Sequence, residues 1–138
     1  MIYLDYQATT PLAPEALEAM LPWLRDQHAN PHSAHGPGRA AKAAVEVARG
    51  QVAALLPDGG TVSFTGGATE ALNWAIKGAG GPIVTIATEH AAVLDTAEAL
   101  DEVGVLPVGR DGLVDMDVAR AAIRPGVELV AAMLVNNE

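Results

Sequence analysis

Short runs of consecutive apolar residues, separated by segments with helical spacing, are the feature that most constrains the fold of this chain. Residues 83–86 and 128–135 are apolar along most of their length instead of at alternate positions, which is typical of strands covered on both faces. Residues 62–64 and 105–108 are predicted as further strands, and Pro107 places the second of these at a sheet edge or an irregularity. Strands that alternate with helices predict an α/β fold, with a mostly parallel sheet and helices on both faces.

Helical spacing of apolar residues marks five segments of the chain. Pro14 suits the first turn of the first helix, and Pro22 is expected to end or kink it. Asp115 is expected to cap the last helix. The expected helices cover about residues 14–25, 39–56, 68–78, 93–103 and 116–123, and a loop at 30–38 precedes the second of them.

Composition limits the kinds of site that this chain can hold. Its 138 residues suffice for one domain with a hydrophobic core, and the absence of cysteine excludes disulfides, thiolate metal sites and a cysteine nucleophile within it. The net charge of −9 argues against non-specific binding to nucleic acid or to an anionic membrane. No apolar run approaches the ~18 residues of a membrane span, and the N-terminus lacks a signal-like core, so a cytoplasmic location is expected.

The strongest candidate binding site is the glycine pair that joins residues 62–64 to the third helix. Gly66 and Gly67 let a ligand approach the backbone closely. The helix that starts at Ala68 offers unpaired N–H groups and the positive end of its dipole, and Thr69 adds a hydroxyl donor. These features suit a phosphate, although an ordinary strand-to-helix turn explains the glycines equally well.

In a parallel sheet, ligands bind beyond the carboxyl ends of the strands, and three polar segments are expected to meet there. The 66–69 loop, His90 and the pair Asn136-Asn137 each follow a predicted strand. A helix-start role for His90 and a simple turn at the asparagines are the alternatives. For His32, in the 30–38 loop, a solvent-facing position is favoured over a role as a ligand.

Six motifs follow one another along the chain. They are Asp5-Tyr6-Gln7-Ala8-Thr9-Thr10-Pro11, Asn30-Pro31-His32-Ser33, Thr65-Gly66-Gly67-Ala68-Thr69-Glu70, Thr88-Glu89-His90 with Ala92-Val93-Leu94-Asp95, Asp111-Gly112-Leu113-Val114-Asp115, and Val135-Asn136-Asn137-Glu138. Together they resemble the cysteine desulfurases, which are pyridoxal 5'-phosphate (PLP) enzymes of the class V aminotransferase family. Each motif alone is weak, but the six in order span nearly the whole chain.

The resemblance implies a role for each matching residue. It implies that Gly67, Ala68 and Thr69 hold the phosphate of PLP. It also implies that His90, the candidate catalytic residue, stacks on the pyridine ring and assists proton transfer. Asn137 is expected to reach the ring hydroxyl and the substrate side of the cofactor.

Two positions depart from the family pattern. Serine often stands in the family where this chain has Gly66, so one possible phosphate hydroxyl is missing here. Lysine often follows the histidine of the fourth motif, where this chain has Ala91.

The resemblance further implies that this chain is part of a longer enzyme. Residues 1–15 would form an N-terminal arm, and residues 16–138 the N-terminal part of the large domain of a PLP-dependent transferase. In the family, the Schiff-base lysine, the carboxylate that faces the pyridinium nitrogen, the sulfur-accepting cysteine and a small C-terminal domain lie further along. Lys42 and Lys77 are the only lysines here, neither lies in the family's Schiff-base motif, and solvent-facing positions are expected for both.

The activity implied by the resemblance is the conversion of L-cysteine to L-alanine with an enzyme-bound persulfide, which supplies sulfur for iron–sulfur clusters or thio-cofactors. The implied partners are L-cysteine, a second copy in a homodimer, and a sulfur-acceptor or scaffold protein. A selenocysteine lyase and another class V aminotransferase are the nearest alternatives, and a non-catalytic cofactor- or partner-binding fragment is a third. The chain alone is expected to be inactive.

Overall fold

The computed structural model describes residues 2–6, 8–57 and 60–135, and the chain divides into two compact units. The first unit is Met1–Phe64 and the second is Thr65–Glu138. The candidate residues of the phosphate loop and His90 belong to the second unit, whereas Asn137 lies outside the described residues.

The first unit contains two helices within its described residues. The helix α1 covers Pro14–Arg25, and α2 covers Gly36–Ala53. As predicted, α1 has Pro14 in its first turn, where a missing N–H leaves no helical hydrogen bond unmade. Pro22 lies within α1 and does not end it. The division between an arm (1–15) and a large domain stays a prediction.

The helix α2 begins and ends three residues before its predicted bounds, which were 39 and 56. Its start is fixed by His35, whose Nδ1 accepts a hydrogen bond from the Gly38 N–H at 3.2 Å. Pro37 lies in the first turn, where proline is tolerated. The glycines and proline that indicated a loop therefore form the first turn of the helix.

Residues 62–64 do not form the predicted strand. Arg49 of α2 donates from Nη1 to the Val62 carbonyl at 2.5 Å, and its guanidinium carbon lies 5.1 Å from the centre of the Phe64 ring. The Val62 carbonyl thus has a side-chain donor in place of a neighbouring strand, and the cation contacts the face of an aromatic ring. An apolar run of three residues was too short to distinguish a strand from this extended segment.

The second unit is built on a parallel sheet of three strands in the order β2-β1-β3, counted within its described residues. The strands are β1 (Ile83–Ile86), β2 (Val103–Leu106) and β3 (Leu129–Ala131). In this register, Ile83 lies opposite both Val103 and Leu129. The helices are α3 (Ala68–Gly78), α4 (Ala91–Glu98) and α5 (Met116–Ala122). The predicted α/β class and parallel sheet are confirmed.

The strand β1 is covered on both faces, as its composition predicted. Successive side chains of a strand point to opposite faces, so Ile83 and Val84 enter different cores. Ile83 packs with Ile76 of α3 and with Val93 and Ala97 of α4. On the other face, Val84 packs with Leu106 of β2 and Ala119 of α5. Helices therefore cover both faces of the sheet.

Several predicted boundaries in the second unit are wrong. The strand expected at 128–135 covers only Leu129–Ala131, and it is not buried on both faces as expected, since Val130 is 43% exposed. The helix expected at 93–103 ends at Glu98, because Val103 already pairs with Ile83 in the sheet. The strand expected at 105–108 ends at Leu106, because Pro107 has no N–H with which to continue the ladder. β2 is an edge strand of the described sheet, the position that Pro107 indicated.

Candidate functional site

The N-terminus of α3 has no side-chain cap. Gly67 occupies the cap position, and its φ of 167° is extended backbone. A Cβ at Gly67 would meet no heavy atom within 4 Å. The first N–H groups of a helix have no intrahelical acceptor, and here no side chain caps them. This arrangement fits a phosphate group, which needs close approach to backbone donors.

Two hydrogen bonds hold the loop before α3. The Thr65 hydroxyl donates to the Gly67 carbonyl at 3.0 Å. The Gly66 N–H donates to the Glu70 carboxylate at 2.7 Å, which removes this N–H from the donors that an anion can use. The donors left for a phosphate are therefore the N–H groups of the cap Gly67 and of the first turn of α3.

Sequence reasoning missed the role of Glu70. It lies three residues after the cap Gly67, the position from which a carboxylate reaches back to the residues before a helix. Its charge at the positive end of the helix dipole stabilises α3. That spacing was the available signal, because Glu70 is part of the Thr-Gly-Gly-Ala-Thr-Glu motif.

Ala68 and Thr69 are the first two residues of α3, and both are exposed. The Thr69 carbonyl accepts a hydrogen bond from Asn73 Nδ2 at 3.0 Å. This bond holds the backbone of the turn that carries the Thr69 hydroxyl. The loop thus offers three features in a row: Gly67 has no side chain, Ala68 has a small one, and Thr69 has an exposed hydroxyl. Such a surface suits phosphate oxygens.

His90 is the N-cap of α4, and its side chain is exposed. Its Nδ1 accepts a hydrogen bond from the Ala92 N–H at 3.0 Å. With Nδ1 acting as acceptor, the neutral ring carries its proton on Nε2. His90 therefore has the helix-start role that the sequence left open. The capping hydrogen bond orients the ring and uses only Nδ1, so Nε2 can still bond to another group.

The N-termini of α3 and α4 point to the same edge of the sheet. Only residues 79–82 join α3 to β1, and the two elements pack together, so α3 runs back along the sheet. The helix α4 follows β1 directly, so it begins at the carboxyl end of that strand. The sequence predicted the 66–69 loop at this edge because it was expected to follow a strand at 62–64. That strand does not form, and the loop lies at this edge because α3, which begins there, runs back along the sheet.

Glu89, immediately before His90, is buried and joins β1 to the chain that follows β3. Its carboxylate accepts a hydrogen bond from the backbone N–H of Met133. The segment that leads towards the predicted Asn136-Asn137 pair is thus attached beside His90, although both asparagines lie outside the described residues. Sequence reasoning missed Glu89, whose one signal was a carboxylate three residues after a buried strand.

The remaining candidate residues are exposed, as predicted. His32 is exposed, and its backbone N–H donates to the Asn30 side chain at 2.9 Å. Lys42 on α2 and Lys77 on α3 are exposed. Over residues 2–6, 8–57 and 60–135, no cluster of side chains suits a metal ion, and no helix is long and apolar enough to cross a membrane.

Comparison with protein families decides the relationship. The family model for aminotransferase class-V matches residues 2–138. The chain belongs to the class-V aminotransferase family. A cysteine desulfurase IscS of Dechloromonas aromatica is 48% identical over 99% of this chain and 37% of the relative. The human cysteine desulfurase is 45% identical over 99% of this chain and 33% of its own length.

Solved structures of similar proteins agree with this class-V aminotransferase assignment. A NifS-like protein from Rickettsia africae has a TM-score of 0.87 and 32% identity, and covers 100% of this chain and 41% of its own. A second NifS-like protein has a TM-score of 0.85 and 35% identity, over 95% of this chain and 39% of its own. The resemblance to the cysteine desulfurases is confirmed. The chain spans a third to two-fifths of the length of these relatives.

The capping hydrogen bond of His90 can be tested by substitution. We predict that His90→Ala lowers the free energy of unfolding by about 1 kcal/mol through loss of the cap, whereas His90→Asn, which keeps an acceptor, changes it by less than about 0.5 kcal/mol. Urea denaturation of the full-length protein measures both, with His28→Ala as an exposed control. Equal stability of His90→Ala and the wild type would contradict the capping role.

Proposed function

We propose that this chain supplies the phosphate cradle and the ring-facing histidine of a PLP-dependent cysteine desulfurase. The enzyme would convert L-cysteine to L-alanine and an enzyme-bound persulfide. The observation that carries the proposal is the uncapped, sterically open N-terminus of α3, at the same sheet edge as the exposed His90. The relatives named cysteine desulfurase support it, since they match this chain from end to end.

The phosphate of PLP would lie at the first turn of α3. The chain carries a net charge of −9, so a dianion needs a local site of positive potential. Backbone N–H groups at Gly67, Ala68 and Thr69 and the helix dipole would supply that potential, and the Thr69 hydroxyl would add a donor. The Glu70 carboxylate would hold the loop by its bond to Gly66 N–H instead of facing the phosphate.

His90 would lie against the pyridine ring of the cofactor. Because its Nδ1 is engaged by the Ala92 N–H, the ring would hold or deliver a proton only at Nε2. Asn137 is proposed to donate a hydrogen bond to the ring hydroxyl. When bound, PLP supplies an electron sink for bond cleavage in an amino-acid substrate.

Other parts of the reaction would need residues from outside these 138. The chain contains no cysteine to carry a persulfide. Lys42 lies exposed on α2, and Lys77 lies exposed at the C-terminal end of α3. A homodimer, a sulfur-acceptor or scaffold protein and a cytoplasmic location stay predictions, as does a role in supplying iron–sulfur clusters or thio-cofactors.

The activity can be tested with the full-length protein. We predict equal amounts of alanine and reducible sulfur from L-cysteine, a large loss of turnover in the His90→Asn variant, and no turnover by the 138-residue chain alone with added PLP. Preference for L-selenocysteine over L-cysteine would favour the selenocysteine lyase. Alanine production by the isolated chain, with a reduced PLP adduct mapped to Lys42 or Lys77, would contradict the assignment of the chemistry to residues outside it.

The phosphate cradle makes a separate prediction about affinity for PLP. In the full-length protein, Thr69→Ala should weaken PLP binding by about 1.5–3 kcal/mol, the value of a hydrogen bond to a charged group. Gly67→Val should weaken it further by filling the open space, at a cost to folding of about 1 kcal/mol. Equilibrium titration of the apoenzyme measures both.

Thr61→Ala is the matched control for this titration. It makes the same change, threonine to alanine, at an exposed residue of the first unit. Its affinity for PLP should equal that of the wild type. If Thr69→Ala and Gly67→Val also bind PLP with unchanged affinity, the first turn of α3 does not hold the phosphate.

A further inference from the structure

Glu89 makes a contact that its position in a turn does not require. Among the described residues, three polar side chains are buried: Thr85, Glu89 and Thr96. The Thr96 hydroxyl bonds to a carbonyl of its own helix, that of Ala92, at 2.8 Å. Glu89, only 7% exposed, instead accepts from the N–H of Met133, 44 residues further along the chain.

The contact between Glu89 and Met133 lies just beyond the last residue pair of β1 and β3. The ladder between β1 and β3 pairs Thr85 with Ala131 as its last register position. The chain turns after β1, with the Glu89 N–H donating to the Ile86 carbonyl at 3.2 Å. Met133 lies two residues beyond Ala131, so the Glu89 carboxylate prolongs the attachment of β3 past the last backbone pair.

The free-energy cost of burying the Glu89 carboxylate indicates that its contact with Met133 matters. A carboxylate removed from water is unfavourable unless hydrogen bonds satisfy it. An apolar side chain would fill the same space without that cost, but it would leave the Met133 N–H without this acceptor. The carboxylate therefore does more than occupy volume, since it selects one position for the chain that leaves β3.

We propose that Glu89 is a positioning residue, whose buried carboxylate binds the Met133 N–H and so holds the His90 turn in one arrangement for PLP. The inference rests on the function proposed above. Glu89 itself would not touch the cofactor. It would act through His90, the next residue, whose turn it ties to the chain that follows β3.

The test uses the full-length protein with substitutions at one carboxylate. Glu89→Ala removes the acceptor, Glu89→Asp keeps the charge but is one methylene shorter, and Glu89→Gln keeps an acceptor at the same reach. Glu98→Ala, at the exposed end of α4, is the matched control. Two quantities are measured: hydrogen exchange at the Met133 amide in the apoenzyme, and the absorption band and Kd of PLP.

We expect exchange at Met133 to accelerate in Glu89→Ala and Glu89→Asp, because the amide loses its acceptor. In the same two variants, the Kd of PLP should rise about tenfold, the loss typical of a hydrogen bond to a charged group, and the absorption band should shift. Glu89→Gln should restore both quantities to near the wild type, and Glu98→Ala should change neither. If Glu89→Ala does not fold, Glu89→Asp and Glu89→Gln still form the decisive pair.

Unchanged exchange at Met133 in Glu89→Ala and Glu89→Asp would overturn the proposal. Faster exchange with an unchanged PLP band and Kd would overturn it too, since Glu89 would then serve the fold alone. Failure of Glu89→Gln to restore exchange and binding would also overturn it, because the proposal assigns the effect to the hydrogen-bond acceptor. If the wild type binds no PLP, the proposed function fails, and the apoenzyme exchange still shows whether the contact with Met133 exists.

Discussion

The burial of β1 on both faces is the constraint on which the second unit depends. Ile83 and Val84 are each less than 5% exposed, and they fix α3 and α4 on one face and α5 on the other. The parallel pairing of β1 with both neighbours then defines one carboxyl edge. Because α3 runs back along the sheet and α4 starts from β1, this edge receives the N-termini of both helices.

The three helices of the second unit differ in how their N-termini are satisfied. Asp115 caps α5 by accepting from Asp117 N–H at 2.8 Å and Val118 N–H at 3.2 Å, and His90 caps α4. Only α3 begins at a glycine without a side-chain acceptor, among the helices described in this unit. A helix end without a cap is usually satisfied by water or a ligand, so the proposed phosphate site lies where the sequence omits a cap.

Much of this architecture could be predicted, because burial on both faces leaves a strong composition signal in the 83–86 run, and Asp115 is a common capping residue. Errors arose where tertiary contacts outweighed local pattern. The Val62 carbonyl bonds to Arg49, thirteen residues away, and Val103 joins a strand whose partner lies twenty residues before it. Glu70 and Glu89 were missed because their roles depend on backbone N–H groups that a sequence does not locate.

The central claim is that the first turn of α3 holds the phosphate of PLP. The most direct measurement is a crystal structure of the full-length protein grown with PLP. The phosphate oxygens are predicted to lie about 2.7–3.2 Å from backbone nitrogens of Gly67, Ala68 and Thr69, the range of ordinary hydrogen bonds. A phosphate bound elsewhere, with the first turn of α3 facing only solvent, would contradict the account.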